Sequence, residues 1–490
     1  MVSNHHKNRF SYLALSVGVL GVGVGIIVGL LAGIQPLLLA VALVGVATVI
    51  SFFTSFEQTV LGLLILRSSL DPFSSQQIPA AFAIGVDILT LLYVTVLLLT
   101  RRKVYTDGFW WFFAGWIALQ SLWVILLPLG GLGMDGSYLP NSMREWIRLF
   151  SWLMVYLLVM QLKDTIRPQK VISCLFWALV IPLTVATLQL FVPSILPPIF
   201  VGATEEIAAP ITEVSRIRGT LGLANTFSSF LILFILLTWW KLGQVRQRFP
   251  WIVLLGSLVF FLVNTKSLFA LIMMVIAVLV IITPQMSVVN LLGGVILLAS
   301  FLGLFASSEM GQERLGSIAD TPLLNPHIDI SRAILLSNGD NNSFNWRLAQ
   351  WTYLLQAWQQ YPILGYGLFT SSVLTVLHNY AHNEYVRALA EQGIVGLIAF
   401  LVFLGAQIWH LLKLFHQAPE GSDQQRLCLA LLAMLLAMMF GMITENIWGH
   451  TTLFMYWWTL IAVAGWNWDE LQSSSAHSMP SAAVSHLTNH

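Results

Sequence analysis

Charged side chains are scarce in this sequence. Asp, Glu, Lys and Arg make up 9% of the 490 residues, against about 25% in ordinary soluble domains. Hydrophobic residues make up 57%, and the mean hydropathy is +0.80. This composition excludes an ordinary soluble domain and predicts an integral membrane protein with several spans. Because the apolar runs are long and unbroken, they favour helices over the strands of a barrel, so the predicted fold class is all-α.

Basic stripes, metal-binding motifs and paired cysteines are also missing. The net charge of +1 gives no indication of nucleic-acid binding. Cys174 and Cys428 lie in or near apolar runs, where we expect them to pack as small hydrophobic residues and not to form a disulfide. The sequence has no CxxC, HExxH or clustered Cys/His pattern, so we expect no metal site and no cofactor.

Apolar runs recur from Ser11 to about Trp466 and predict about 12 to 14 transmembrane helices. The run over 53–69 is the weakest, because it carries Glu57 and Arg67; it is either a span or a broken, re-entrant segment. The predicted spans are 11–33, 36–52, 53–69, 78–100, 108–128, 146–162, 170–192, 219–240, 250–264, 267–283, 287–306, 390–412, 427–445 and 450–467.

Lysine and arginine residues divide the loops between two sides. Loops rich in these residues belong in the cytoplasm, which also places both termini there. The residues concerned are Lys7, Arg9, Arg101, Arg102, Lys103, Lys163, Arg167, Lys170, Lys241, Arg246, Arg248, Lys413 and Arg426. Three loops then face outward, at 130–145, 193–218 and 307–389. The chain divides into membrane helices over 1–306, a periplasmic loop over 307–389, membrane helices over 390–470 and a disordered cytosolic tail over 471–490.

The second half of the longest outer loop is rich in motifs. An amphipathic helix is predicted from Ser343 to the residues before Pro362, because apolar residues recur there at helical spacing. After a tight turn at Gly365 and Gly367, a second helix is predicted over 373–389. That helix would place His378 and His382 on one face.

His382 is the strongest candidate for chemistry. An unperturbed histidine titrates near pH 6.5, so at neutral pH it can accept a proton from a hydroxyl. Asn383 and Glu384 beside it are candidates for orienting the ring or an acceptor sugar, and His378 is a second histidine one predicted turn earlier. The alternative is a structural histidine whose ring is hydrogen-bonded to backbone groups.

Three cations are predicted at the outer face of the membrane: Arg216, Arg218 and Lys266. The arginines lie where an outer loop meets a span, and a guanidinium there can pair with two phosphate oxygens at once. Lys266 lies in the turn between two short spans, at a depth where a cation is costly. Their structural alternative is the anchoring of helix ends. Together near His382, they would bind a diphosphate and stabilise it as a leaving group.

Other polar residues rank lower. Arg347 is expected to act mainly as a structural bridge from the amphipathic helix. Glu391 lies at the start of a predicted span, where a carboxylate interacts favourably with the helix N-terminus. The remaining lower-ranked residues are Asp71, Glu205, Glu206, Glu213, Glu445 and Asn446.

Taken in order along the chain, these motifs resemble the O-antigen ligase/polymerase family of bacterial envelope glycosyltransferases. The similarity covers roughly positions 210 to 400, while the N-terminal spans match only in character. The residues that carry it are Arg216, Gly219, Thr220 and Asn225, the arginine-containing helix over 345–359, Pro362, Gly365 and Gly367, His382 and Asn383, and Glu391, Gly393 and Gly396.

The resemblance implies a metal-independent enzyme with a GT-C-like helical fold and a polyprenyl-diphosphate-linked glycan as donor. Arg216 would bind the donor diphosphate, and His382 would act as base or position the acceptor hydroxyl. Many members carry Ser-Arg where this chain has Thr265 and Lys266; lysine keeps the charge but lacks the fork of a guanidinium. The distance from His382 to Glu391 fits the family pattern, so His382 is preferred to His378.

The expected function is therefore inverting glycan transfer at the periplasmic face of a bacterial inner membrane. An O-antigen ligase acting on a lipid A–core-like glycolipid is preferred, with a repeat-unit polymerase as the alternative within the family. Because some relatives of the family are described as inorganic-carbon transporters, a small-anion transporter is the alternative from another class, and a non-catalytic scaffold is a third. The enzyme is favoured, since the halves show no convincing repeat and the candidate charges lie at the outer interface.

Overall fold

The computed structural model describes residues 36–201, 216–283 and 343–468, with single helical residues at 18, 22 and between 292 and 316. Within these ranges every regular element is a helix, so the all-α membrane fold is confirmed. Several predicted segments lie outside the described residues. They are the spans 11–33 and 287–306, the acidic residues Glu205, Glu206 and Glu213, most of the irregular segment 312–342, and the tail 471–490.

The α-helices are named here in chain order. They are α1 (Pro36–Thr54), α2 (Phe56–Leu66), α3 (Ile78–Leu99), α4 (Gly108–Leu126), α5 (Leu139–Met160), α6 (Pro168–Leu175), α7 (Val180–Phe191), α8 (Pro198–Val201), α9 (Ala224–Leu242), α10 (Phe249–Asn264), α11 (Leu268–Ile282), α12 (Ser343–Gln360), α13 (Glu384–Gln417), α14 (Asp423–Gly441) and α15 (Thr451–Ala464). Short 3₁₀ turns follow α2 at Arg67–Ser69 and Asp71–Gln76, join α6 to α7 at Phe176–Leu179, and precede α15 at Ile447–Gly449.

Within the described ranges, six helices are long and apolar enough to cross a membrane: α3, α4, the joined α6 and α7, α9, α13 and α14. Shorter apolar helices accompany them, including α10, α11 and α15. The weak segment 53–69 is a broken one. Ser55 interrupts it with φ −136° and ψ 57°, and α2 reaches only about 16 Å, short of a core about 30 Å thick. The total of 12 to 14 spans stays a prediction.

Helices α5 and α15 form the centre of the bundle and pack on each other. Every side chain of α15 from Thr452 to Ala464 is buried, and α5 is buried along its second half. Trp152 of α5 stacks on Phe454 of α15, with ring centroids 4.2 Å apart. Helix α9 is also buried along most of its length, whereas α3, α4, α10 and α13 expose large apolar side chains that can contact lipid.

The predicted cytoplasmic loops meet at one end of the bundle. Lys241 Nζ donates to Ser173 Oγ (2.9 Å), and Arg426 Nη1 donates to Gly243 O (3.0 Å). These contacts join the end of α9 to α6 and to the start of α14, which follow the loops after α5 and α13. The loop after α3 lies at the same end, because Gln161 Nε2 donates to Tyr105 O (2.9 Å). The polar segments that carry the candidate residues precede α9 and α13, whereas the basic loops follow these two helices. The candidate site and the basic loops therefore lie at opposite ends of the bundle.

Helix α13 consists of two helices joined at Gly393, whose φ of +65° and ψ of −167° interrupt it. The backbone groups freed by this break pair with the turn that follows Pro362. The bonds are Tyr366 N to Ala390 O (3.2 Å), Gly367 N to Glu391 O (2.7 Å), Ile394 N to Pro362 O (2.9 Å) and Val395 N to Ile363 O (3.3 Å). The Pro-x-x-Gly-x-Gly motif and the Glu-x-Gly motif are therefore one structural unit.

Glycine is required on both sides of this pairing. A Cβ at Gly393 would lie 2.2 Å from Ile363 O, and a Cβ at Gly365 would lie 2.6 Å from Ala390 O. Both glycines also have positive φ, +65° and +68°. Any side chain would separate the two backbones, because heavy atoms do not approach this closely.

Glu391 holds the same unit from its side chain. Its carboxylate accepts the backbone N–H groups of Phe369 (2.9 Å) and Ser371 (3.1 Å) and pairs with Arg387 Nε (3.2 Å). The expectation that Glu391 acts through a helix N-terminus is wrong, since both oxygens are bound to these groups.

The helix predicted over 373–389 is wrong for residues 373–383, which form turns. Helix α13 begins at Glu384, because the Asn383 side chain caps it by accepting the N–H groups of Tyr385 and Val386 (3.0 Å each). His378 and His382 have positive φ, 47° and 48°. They therefore do not share a helix face.

Replacing Gly393 by Ala is expected to destabilise the protein by about 3 kcal/mol or more, because the strain of a non-glycine residue adds to the overlap with Ile363 O. Thermal unfolding in detergent measures the effect. Gly405→Ala is the matched control on the same helix: its Cβ meets nothing within 4 Å, so we expect no loss. Equal midpoints for the two variants would contradict the role given to Gly393.

Candidate functional site

Glu445 is a buried carboxylate at the end of the bundle opposite the basic loops, in the turn between α14 and α15. Its side chain is 5% exposed. Oε2 accepts a hydrogen bond from Asn225 Nδ2 at the start of α9. Oε1 lies 3.2 Å from His382 Nδ1 and accepts the N–H of Asn446 (3.0 Å). The carboxylate thus joins the segment before α9 to the segment before α13.

Arg216 reaches the same carboxylate through Asn225. Its Nη2 donates to Asn225 Oδ1 (2.9 Å) and its Nε donates to Thr265 O (3.0 Å). Ser267 Oγ also donates to Asn225 Oδ1 (2.8 Å). Lys266 lies between these two contacts, half-buried and with a left-handed φ of 51°. We call Arg216, Asn225, Glu445 and His382 the contact chain.

His382 is held by its backbone as well as by its ring. Its N–H donates to Asn446 Oδ1 (2.8 Å), and its ring lies edge-on to the Trp346 indole with centroids 5.3 Å apart. The Nδ1 contact to Glu445 is close but bent away from a well-aligned hydrogen bond. Catalytic hydrogen bonds are often loose before substrate binds. Nδ1 faces the carboxylate, which leaves Nε2 as the nitrogen for a substrate.

The charges around Glu445 favour its ionised form. Burial would raise the pKa of this carboxyl, but the hydrogen bond and charge of His382, with the nearby charges of His450 and Arg347, lower the pKa to about 2. Burial lowers the pKa of the His450 imidazole to about 4, against the attraction of Glu445 and Asp71. At neutral pH the site therefore holds an ionised carboxylate beside an uncharged His450.

An ionised carboxylate on Nδ1 of an imidazole has a known chemical consequence. It favours the tautomer with the proton on Nδ1, so Nε2 carries the lone pair. It also stabilises the imidazolium that forms once Nε2 accepts a proton. An arrangement of this kind can serve as a general base with an orienting carboxylate.

An ion network below the site ties α13 to α5. Arg387 pairs with three buried carboxylates: Glu145 of α5 at 2.8 Å, Glu384 at 3.3 Å and Glu391 at 3.2 Å. Removing one partner from such a buried group costs several kcal/mol, because the remaining charges lose their compensation. The network fixes the start of α13, directly after His382.

Glu384 extends this network to the Glu445 turn. Its backbone N–H donates to Met442 O (2.9 Å), and its Oε1 accepts the N–H of Trp448 (2.9 Å). Residues 442–448 are thereby clamped to residues 382–384. Asn383 and Glu384 were candidates for orienting the His382 ring or an acceptor sugar. In the structure Asn383 caps α13, and Glu384 holds the Glu445 turn.

The other predicted residues fall in different places. Arg218 braces the turn before α9: its backbone N–H donates to Gln189 Oε1 (3.0 Å) and its Nη1 donates to Gly222 O (3.2 Å). His378 is exposed in the turns before α13. Arg347, expected to be mainly a structural bridge, is near enough to Glu445 for its charge to lower the pKa of that carboxyl.

From the sequence alone, Glu445 ranks among the lower candidates and Ser267 is not a candidate. Only their place in the fold brings them to Asn225, since the three residues lie on different helices or turns. One signal was available: Glu445 and Asn446 are a carboxylate and an amide directly after the apolar run of α14. Within the described part of the chain, no group of three or more His, Cys, Asp or Glu side chains is placed to hold a metal ion.

Residues 251–401 match the family model described as O-antigen ligase. The resemblance noted from the motifs is confirmed for this segment, which contains Lys266, Arg347, His382 and the paired glycine motifs. Arg216 and Glu445 lie outside the matched residues. No curated protein sequence matches the chain.

The low pKa of Glu445 predicts a pH-dependent contribution to stability. Because the folded-state pKa of about 2 lies below the ordinary value of 4.5, this stability is fully present above pH 4.5 and is lost as the pH falls toward 2. A carboxyl that binds its proton more weakly in the folded state stabilises that state only while it is ionised. Glu445→Gln should remove that part of the pH dependence of unfolding in detergent. Glu420→Gln, at an exposed turn, is the control; identical pH curves for both variants would contradict the prediction.

Proposed function

We propose that this protein transfers a glycan from a polyprenyl-diphosphate-linked donor to the hydroxyl of an acceptor. The observation that carries this proposal is the contact chain, which links a guanidinium suited to phosphate with an imidazole suited to accepting a proton. The match of residues 251–401 to O-antigen ligase supports glycan chemistry. On the same ground we propose a metal-independent enzyme.

Arg216 is the proposed centre of donor binding, with Lys266 and Arg218 adding positive charge. The guanidinium of Arg216 is held in place by Asn225 Oδ1 and Thr265 O, so little reorganisation is needed when an anion binds. One charge pair at 4 Å contributes about 4 kcal/mol at an effective dielectric constant near 20, before the cost of desolvation. That interaction grows as charge develops on the leaving diphosphate.

The proposed transfer is a single displacement at the anomeric carbon. The acceptor hydroxyl gives its proton to His382 Nε2, while its oxygen forms a bond to the anomeric carbon. The bond from that carbon to the diphosphate oxygen breaks at the same time, and polyprenyl diphosphate leaves. Attack from the face opposite the leaving group inverts the anomeric configuration. Glu445 stabilises the imidazolium that results.

The segregation of the loops supports an outward-facing site. The basic loops gather at one end of the bundle, which the positive-inside rule assigns to the cytoplasm. The contact chain lies at the other end. We therefore propose a bacterial inner-membrane protein with both termini in the cytoplasm and its site in the periplasm.

Within this reaction class we favour an O-antigen ligase with a lipid A–core-like glycolipid as acceptor. Deleting the gene and running the envelope glycolipids on a gel, beside the lipid-linked intermediates, tests this. A ligase predicts loss of capped glycolipid and accumulation of long polyprenyl-linked glycan. Glycolipid capped by a single repeat would indicate a polymerase. An unchanged profile would contradict both and favour the small-anion transporter or the scaffold.

His382→Ala is expected to lower the transfer rate by about 10²- to 10⁴-fold, the contribution of a positioned general base. Transfer from a polyprenyl-diphosphate glycan by the purified protein measures this rate. His378→Ala is the matched control, because this histidine lies four residues earlier and is exposed. Loss of activity in the control, or its retention in His382→Ala, would contradict the assignment.

Arg216→Lys is expected to lower transfer by about 10- to 100-fold, because lysine keeps the charge but cannot reproduce the two fixed contacts to Asn225 and Thr265. Arg216→Ala should lower it further. Arg101→Lys, in an exposed position at the basic end of the bundle, is the control. Equal rates for Arg216→Lys and the wild type would show that charge alone suffices at this position.

A further inference from the structure

We propose that Trp346 is the residue on which the acceptor sugar of the proposed transfer packs, with the pyranose ring against the indole. This inference rests on the proposed transfer to a glycolipid acceptor and extends it, because it assigns acceptor binding to one side chain. It also assigns a binding role to the first turn of α12.

The contact chain gives the site two sides. Arg216 and Asn225 lie on the side of Glu445 Oε2, and His382 lies on the side of Oε1. The hydroxyl that reacts must reach His382, so the acceptor occupies the space beside that ring. Trp346 packs against the same ring, with centroids 5.3 Å apart. Because Trp346 contacts the proposed general base, an acceptor that reaches this base also lies next to Trp346.

The position of Trp346 is fixed by its own helix. One turn later, Gln350 Nε2 donates to Asn379 O (2.6 Å), and Gln350 Oε1 accepts from Thr375 Oγ1 (2.8 Å). Trp351 Nε1 donates to Ala381 O, directly before His382 (2.7 Å). These bonds attach α12 to the turns that carry His382. The indole is therefore held in a constant place relative to the imidazole.

The three tryptophans of α12 differ in what their N–H groups do. Trp351 Nε1 and Trp358 Nε1 both donate to backbone carbonyls, which gives them a structural role. Trp346 is half-buried, and its Nε1 has no hydrogen-bond partner among the described residues. It presents an apolar ring with an available donor beside the proposed base.

An indole of this kind suits a sugar in particular. A pyranose has a face of C–H groups that packs on an aromatic ring and a rim of hydroxyls that accept from an N–H. A serine side chain or a lipid alcohol has no comparable flat face. An indole held beside the proposed base therefore offers a matching surface for the face of an acceptor sugar.

Acceptor kinetics test the role. The probe is the deacylated oligosaccharide from the envelope glycolipid of the native host, titrated against a fixed polyprenyl-diphosphate donor. Trp346→Leu should raise the acceptor KM about tenfold, change the donor KM less than about twofold, and leave kcat and its pH profile unchanged. Trp346→Phe should stay within about threefold of the wild type. Trp358→Phe, the matched control, should change neither KM.

A merely structural role for Trp346 would give another result. If the indole only supports the His382 ring, its loss lowers kcat and shifts the pH profile while the acceptor KM is unchanged. That outcome would overturn the proposal. So would equal increases in the donor and acceptor KM.

A binding measurement separates this inference from the transfer reaction. In the His382→Ala background, saturation-transfer NMR with the same oligosaccharide should mark the C–H protons of one sugar face, and adding Trp346→Leu should remove the signal. Binding unaffected by Trp346→Leu, or binding only of a serine-rich peptide, would overturn the sugar platform. Trp346-dependent binding in a wild type that transfers nothing would keep the platform and overturn the transferase.

Discussion

The burial of one ionised carboxylate organises the end of this bundle that lies opposite the basic loops. Glu445 is almost completely shielded from solvent, and such a charge is costly unless it is paired and hydrogen-bonded. Its partners come from different parts of the chain: the amide of Asn225, the imidazole of His382 and the N–H of Asn446. Compensating this charge therefore brings the proposed donor half and the proposed acceptor half into one site.

Two further devices keep that site rigid. The break at Gly393 locks the Pro362 turn onto α13 through paired backbone hydrogen bonds, and Arg387 binds α13 to α5 through Glu145. The catalytic geometry proposed here needs the imidazole, the leaving group and the acceptor to be placed within fractions of an ångström. The polar segment before α13 can keep such a fixed geometry because backbone hydrogen bonds and the Arg387 ion pairs hold it to neighbouring helices and turns.

The sequence predicted the helical fold and named several members of the contact chain, because their motifs are local. Arg216, Asn225 and His382 were found this way, and Asn225 and His382 meet through Glu445. Glu445 was undervalued, since its importance comes from neighbours far away in the chain. The prediction of a helix over 373–389 was wrong for a local reason. Two histidines four residues apart are compatible with a helix, but the Asn383 side chain caps α13 and so makes the helix begin at Glu384. His378 and His382 both have a positive φ, and the amino-acid sequence around them does not indicate this backbone conformation.

The proposed reaction depends on Arg216 and Lys266, which would hold the diphosphate of the donor beside His382. A cryo-EM structure of the full chain in lipid nanodiscs with polyprenyl diphosphate, the proposed leaving product, tests it most directly. We expect diphosphate density within hydrogen-bonding distance of the Arg216 guanidinium, at the end of the bundle that holds the contact chain. Diphosphate bound at the opposite end, beside Arg101 and Arg102, would contradict it.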